Sequence, residues 1–178
     1  VVRALFEPDT NGAYVGAGLL SSSVLHPDRE AFVQAIDLHY YTPDRAWSTD
    51  AQILRSDIKS RDAAPGSPYE TTSGTGGFVD VAWVPRKGLQ HNLQLEYLGE
   101  DLDINDLGFQ RRADTYGTRY SFSHTKSDIS WLQSLRTSGF VGGGWNTDDR
   151  LILAGANMRQ DYTFKNLNRL QVRFGYSP

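Results

Sequence analysis

Long runs in which apolar and polar residues alternate one for one constrain this chain more than any other feature. Leu93, Leu95 and Tyr97 interleave with Asn92, Gln94 and Glu96, and Tyr116, Thr118, Tyr120 and Phe122 interleave with Gly117, Arg119 and Ser121. Phe32, Gln34, Ile36, Leu38 and Tyr40 likewise alternate with Val33, Ala35, Asp37, His39 and Tyr41. A period of two places successive side chains on opposite faces of a strand. Turn-forming clusters separate the runs: Pro8-Asp9-Thr10-Asn11-Gly12, His26-Pro27-Asp28-Arg29, Pro43-Asp44-Arg45, Arg86-Lys87-Gly88, Thr125-Lys126-Ser127-Asp128, Asn146-Thr147-Asp148-Asp149 and the region of Lys165-Asn166-Leu167. The reading is all-β: an up-and-down antiparallel meander of about ten strands, each roughly nine to fourteen residues long. Ordinary strands run about five or six residues, whereas crossing a bilayer takes about nine to eleven.

Two further features bear on a transmembrane β-barrel. The connections after Glu7, Thr42, Pro85, His124 and Phe164 are short. Those after Val24, Ile58, Leu98 and Trp145 include both long loops, about 59–75 and 99–112. Alternate connections of a meander emerge on the same side, so short turns gather at one end and long loops at the other. The faces also differ. One carries Leu, Val, Ile, Phe and Tyr; the other carries Asp37, His39, Asp50, Gln52, Asp80, Gln94, Glu96, Arg119, Gln171 and Arg173. Tyr40, Tyr41, Trp47, Trp83, Tyr97, Tyr116, Trp145 and Tyr176 fall near strand ends, where an interfacial girdle sits. A net charge of −3 gives no global basic signal for nucleic acid, and the absence of cysteine excludes disulfides and thiolate metal sites.

Gly99 to Arg112 interrupts the alternation with a carboxylate-rich connection. The run Leu102-Asp103-Ile104-Asn105-Asp106-Leu107-Gly108-Phe109-Gln110-Arg111-Arg112-Ala113-Asp114 fits a pattern of Phe or Leu, then Asp-x-Asn-Asp-Leu-Gly-Phe-x-x-Arg-x-Asp. It resembles the bacterial outer-membrane β-barrel domain of unknown function that commonly follows a family-nine-like carbohydrate-binding module. Asp103, Asn105, Asp106, Leu107, Gly108, Phe109, Arg112 and Asp114 carry the likeness. Looser matches are Asp37-Leu38-His39-Tyr40 with Trp47 and Arg55-Ser56, Gly76-Gly77-Phe78 through Pro85-Arg86-Lys87, and Phe164-Lys165-Asn166-Leu167. The family's barrel is longer, so residues 1–178 are read as one segment of a larger barrel, with the sugar-binding module outside it.

The resemblance implies a Gram-negative outer-membrane location and a structural or solute-passing role, with the lipid bilayer and the remaining barrel strands as partners. It also implies a link to carbohydrate binding or uptake through the absent N-terminal module. No enzymatic activity, cofactor or nucleic-acid partner is expected. Two other classes stay open: part of a cell-envelope glycoside hydrolase, and a soluble β-sandwich or barrel binding module.

Candidate chemistry is sparse. Asp101, Asp103 and Asp106 are oxygen ligands of the kind calcium takes, but an EF-hand count from Asp101 puts Asp106 where glycine belongs and Arg112 where the bidentate Glu belongs. The expected structural role is a loop whose Asx side chains bond its own backbone and whose acids pair with Arg111 and Arg112. His26, His39, His91 and His124 lack metal spacing; His39 and His124 are expected to line a lumen. No nucleophile elbow occurs, and Gly74-Thr75-Gly76-Gly77 and Gly142-Gly143-Gly144 lack a phosphate-loop context.

Overall fold

The computed structural model describes residues 1–10, 12–61, 67–105 and 112–176. The elements are β1 (Val2–Phe6), β2 (Asp9–Thr10), β3 (Ala13–His26), β4 (Arg29–Tyr41), β5 (Trp47–Ser60), β6 (Glu70–Arg86), β7 (Leu89–Leu98), β8 (Thr115–Ile129), β9 (Leu132–Trp145), β10 (Leu151–Phe164) and β11 (Arg169–Tyr176). Ten of them form one antiparallel sheet in the order β1-β3-β4-β5-β6-β7-β8-β9-β10-β11, and the two-residue β2 pairs beside β3. Apart from the short β2 between β1 and β3, every neighbour in the sheet is a neighbour in sequence, and no helix occurs among the described residues. The chain is therefore all-β with up-and-down topology. The sheet is open, with β1 and β11 as its edges.

The register fixes which side chains share a face. Gly16, His39, Asp50, Asp80, Gln94, Arg119, Gly142 and Gly155 are opposite one another in a single row across eight strands. All ten residues assigned to the polar face by alternation lie on that one face. The opposite face carries Leu19, Ile36, Ile53, Val79, Leu95, Val141, Met158 and Phe174. Over β4 the burial is inverted relative to a water-soluble sheet. Ile36 is 60% exposed and Leu38 44%, whereas Asp37 on the polar face is 6% exposed. Side chains of the polar face crowd one another. The carboxylate of Asp37 occupies the space where a Cβ of Gly18 would lie.

Turn chemistry closes the short connections. Asp44 accepts hydrogen bonds from Thr42 Oγ1 (2.6 Å) and Ala46 N (3.0 Å), which holds its carboxyl below the usual range. Gly88 supplies a φ of +81°, and a Cβ there would lie 2.4 Å from the Thr125 carbonyl oxygen. Only glycine tolerates both demands.

Several boundaries differ from the sequence reading. The first long loop is 61–69 rather than 59–75, because β6 begins at Glu70. Glu70 to Thr75 is strand, and Gly74 answers to close packing against the Asp101 and Leu102 backbone and not to loop flexibility. Thr125-Lys126-Ser127-Asp128 is also strand, and the turn is Ser130-Trp131. On a sheet with one wet face, Thr125 opposite Arg136 and Ser127 opposite Ser134 are ordinary polar-face pairs, indistinguishable by composition from a turn. The second long loop runs to Asp114, since β8 starts at Thr115. Tyr41 pairs with Tyr14 on the polar face and is no part of an outer girdle. His124 pairs with Leu89 and Thr137, which places it on the apolar face instead of in a lumen.

Candidate functional site: a docked loop and a charged polar face

β5 and β6 extend well past the end of β7: Leu98 pairs with Gly76, leaving six further residues of β6 paired only to β5. The connection from β7 turns back onto the polar face of this extension. Gly99 N donates to Thr75 O (2.9 Å), and Leu102 N donates to Gly99 O (3.2 Å). The Leu102 side chain is 2% exposed and lies over Gly76. A Cβ on Gly74 would come within 2.2 Å of the Asp101 and Leu102 backbone. Asp103 N donates to Ser56 Oγ (3.0 Å), and Ser56 is fully buried. The polar face at this end carries Ala31, Val33, Ala35 and Ile58, all buried. This apolar patch on an otherwise polar wall is where the loop lands.

Asp103 anchors the loop. Its Oδ1 accepts from Asn105 N and Nδ2, both at 3.0 Å, and its Oδ2 meets Arg29 Nη2 at 2.8 Å. The Asn105 backbone hydrogen bond, with Arg29 contributing, holds the carboxyl below its ordinary value. This is the Asx arrangement expected from sequence, with Arg29 on β4 as an ion-pair partner of Asp103; of the two expected arginines, Arg111 lies outside the described residues and Arg112 helps to hold the Asp114 carboxyl low. At the other end of the loop, Asp114 adopts a φ of +56° and its Oδ1 accepts from Thr147 N (2.9 Å) and Thr147 Oγ1. Those bonds keep its carboxyl low as well. Asp101 and Arg112 are exposed. Asp106, Gly108 and Phe109 lie outside the described residues, so the calcium set Asp101, Asp103 and Asp106 is only partly placed. Among the described residues, no group of three or more His, Asp or Glu side chains is arranged to hold a metal.

Charge on the polar face is unevenly spread: Arg3 meets Asp37 at 3.7 Å and Arg29 meets Asp103, but the acids predominate over β4 to β7 and the arginines over β8 to β11. Asp37, Asp50, Asp80 and Glu96 occupy β4 to β7. His39 sits between two of them, with Nδ1 2.6 Å from Asp50 Oδ1 and Nε2 3.2 Å from Asp37 Oδ2. Arg119, Arg136, Arg159 and Arg173 occupy β8 to β11, where Asp161 joins Arg159 at 2.8 Å. Arg119 lies over the Phe140 ring at 4.4 Å, and Arg136 donates to Ser123 Oγ at 3.2 Å. The alternation reading singled out Arg119 and Arg173. It missed Arg136 and Arg159, which share their parity with Ser138 and Asn157 and were readable from it.

The apolar face carries two aromatic rows. Trp47, Trp83, His91 and Tyr120 stack across four strands near the short turns, with centroid separations of 5.2, 5.3 and 6.1 Å. Tyr116 stacks on Trp145 at 5.7 Å near the long loops, and Tyr97 is directly opposite Tyr116. His91 and Tyr97 are separated by about 20 Å along β7. No family model, curated protein or solved structure matches this chain.

Proposed function

We propose that this chain is a wall segment of an outer-membrane β-barrel with a structural or solute-passing, non-enzymatic role. The carrying observation is the inverted sheet. Its apolar face has no protein layer over it among the described residues, and Ile53 there is 70% exposed. Its polar face bears most of the acids and arginines, and the ion pairs Arg55–Asp57 and Lys59–Glu30 on the apolar face lie at the end of the long loops. In water such a sheet would expose a continuous apolar surface far larger than monomeric soluble proteins tolerate. In a bilayer the same surface meets hydrocarbon and the polar face lines a wet lumen. The aromatic rows support this, being spaced on the scale of an apolar band about 25 Å tall. So does the parity of the loops, with connections 61–69 and 99–114 at one end and two-residue turns such as Ser130-Trp131 at the other. The free edges of β1 and β11 are where further strands would pair, since an open edge is not viable in lipid.

The test is depth-resolved quenching. The chain refolded into vesicles containing lipids brominated at defined acyl positions should lose Trp47 and Trp83 emission, most strongly with bromines near the headgroup end. Emission indifferent to bromine, from a chain that stays monomeric without detergent, would give the molecule to the soluble class.

A further inference from the structure

We infer that the polar face of β8–β11 is a binding site for a small soluble anion bearing carboxylate or phosphate oxygens, an assignment that rests on the lumen reading above. A cavity of about 680 Å³ opens on this wall, lined by Arg119, Arg136, Arg159 and Arg173 with serine, asparagine and glutamine side chains between them. That is within the usual size range for small-molecule sites. Against four guanidinium groups the wall offers one carboxylate among the described residues, Asp161, which is already engaged by Arg159 and by Gln171 Nε2 at 2.8 Å.

Arg159 and Arg173 are directly opposite each other across β10 and β11. Like charges in that position destabilise a sheet, and Arg173 has no anionic partner among the described residues. The cost disappears when an anion sits between them. Guanidinium groups suit this role because their planar fork donates two parallel hydrogen bonds to a carboxylate or phosphate. Apart from Asp161, the acids of the long strands on this face stand on β4–β7, and no ion pair joins them to these four arginines among the described residues. Asp50, Asp80, Gln94 and Arg119 lie in one row, so the sign of the wall changes between Asp80 and Arg119. A sheet face whose sign changes between neighbouring strands concentrates an anion on the arginine side. The ligand is a solute and not a lipid headgroup, because these arginines share a face with the acids, opposite the aromatic rows.

Citrate is the probe, titrated by calorimetry into the full 178-residue chain in zwitterionic phosphatidylcholine nanodiscs. Citrate should bind, and the trivalent cation spermidine should not displace it or occupy this wall. Paired substitution Arg159→Gln with Arg173→Gln should weaken citrate at least about tenfold, the loss of one or two charge-assisted hydrogen bonds. Lys59→Gln, on the other face, should leave it within about twofold. If the glutamine pair misfolds, the pair Arg159→Lys with Arg173→Lys keeps the charge but loses the bidentate fork and should still weaken citrate several-fold, and unchanged binding in that folded variant overturns the assignment. Citrate binding unchanged in a folded glutamine pair, or binding no tighter than that of spermidine, overturns the assignment. So does loss of citrate binding when anionic phosphatidylglycerol is added, since headgroups would then be the arginines' partners. A chain quenched from the bilayer that binds no citrate removes this site and leaves the barrel reading intact; citrate binding by a chain that never inserts does the reverse.

Discussion

The polar face is built differently in its two halves. At the long-loop end of β3–β6 it is filled: Ala31, Val33, Ala35 and Ile58 are buried, Leu102 descends onto Gly74 and Gly76, and Asp103 reaches both Ser56 and Arg29, although a cavity of about 400 Å³ stands at the other end beside Tyr14, His39 and Tyr41. Over the middle of β8–β11 it is open: arginine, serine and asparagine side chains with Phe140, Asp161 and Gln171 stand among glycines, and a cavity of about 680 Å³ lies against it. Both halves share one alternation, one register and one sheet. What separates them is whether a connection folds back. A sheet wall does not determine its own occupancy; the loop between strands does, by bringing in the apolar group that the small residues beneath it leave room for.

The largest expected effect separates the two faces. Leu95→Arg places a guanidinium on the apolar face and should cost about 2–4 kcal/mol of stability in lipid, whereas Gln94→Arg, one residue away on the wet face, should be nearly neutral. Urea-induced unfolding in vesicles, followed by tryptophan emission, measures both. Equal costs would mean that the faces do not meet different solvents.

A smaller effect separates the halves. Gly74→Ala should cost about 1–3 kcal/mol, because the clashing atoms are backbone of the docked loop and have no rotamer to change. Gly144→Ala, whose nearest neighbour would be 3.7 Å away, should stay within about 0.5 kcal/mol. The same substitution should expose 99–114 to limited proteolysis. A Gly74→Ala protein with an unaltered cleavage pattern would detach the loop from the filled half.

These residues also mark how far the sequence could be read. Alternation was enough to place Asp37, Asp80, Glu96 and Arg173 on one face, since parity is a local property of a strand. It was not enough to see that Gly74 belongs to a strand. A glycine required by a loop arriving from Asp101 and Leu102 looks, in sequence, like a glycine required by a turn. Thr125 to Asp128 failed for a related reason: on a wall facing water, strand and turn draw on the same residues. Arg29 as partner of Asp103 was invisible because the contact joins segments 74 residues apart. The loop's own acids and arginines supplied nearer candidates.

The aromatic row sharpens the comparison of the faces further. Trp83→Leu keeps an apolar side chain but removes the middle of the Trp47–Trp83–His91 stack. Its cost should be about 0.5–1.5 kcal/mol beyond any change in buried area. A double-mutant cycle with Trp47→Leu should return a coupling energy of that size, and additive losses would show the stack to be mere adjacency.

The smallest effect is the pH dependence of the docked loop. The carboxyl of Asp103 is held below its ordinary value, first by the Asn105 backbone N–H and also by Arg29. A depressed carboxyl stabilises the state in which it is ionised. Its contribution is therefore complete above the unfolded value of about 3.9 and is lost as pH falls through the lower folded value. Because the Asp103 side chain is 35% exposed, screening limits that contribution to no more than about 1 kcal/mol. Proteolysis with an acid-active protease should nick 99–114 faster as the pH falls below about 4. Asp103→Asn should nick at the fast rate already at neutral pH and lose the dependence. Asp114, held low by Thr147, titrates in the same window. The variant therefore decides whether the filled half is closed through Arg29 and Ser56 or only through the far end of the loop: a pH response that survives Asp103→Asn places the latch at Asp114.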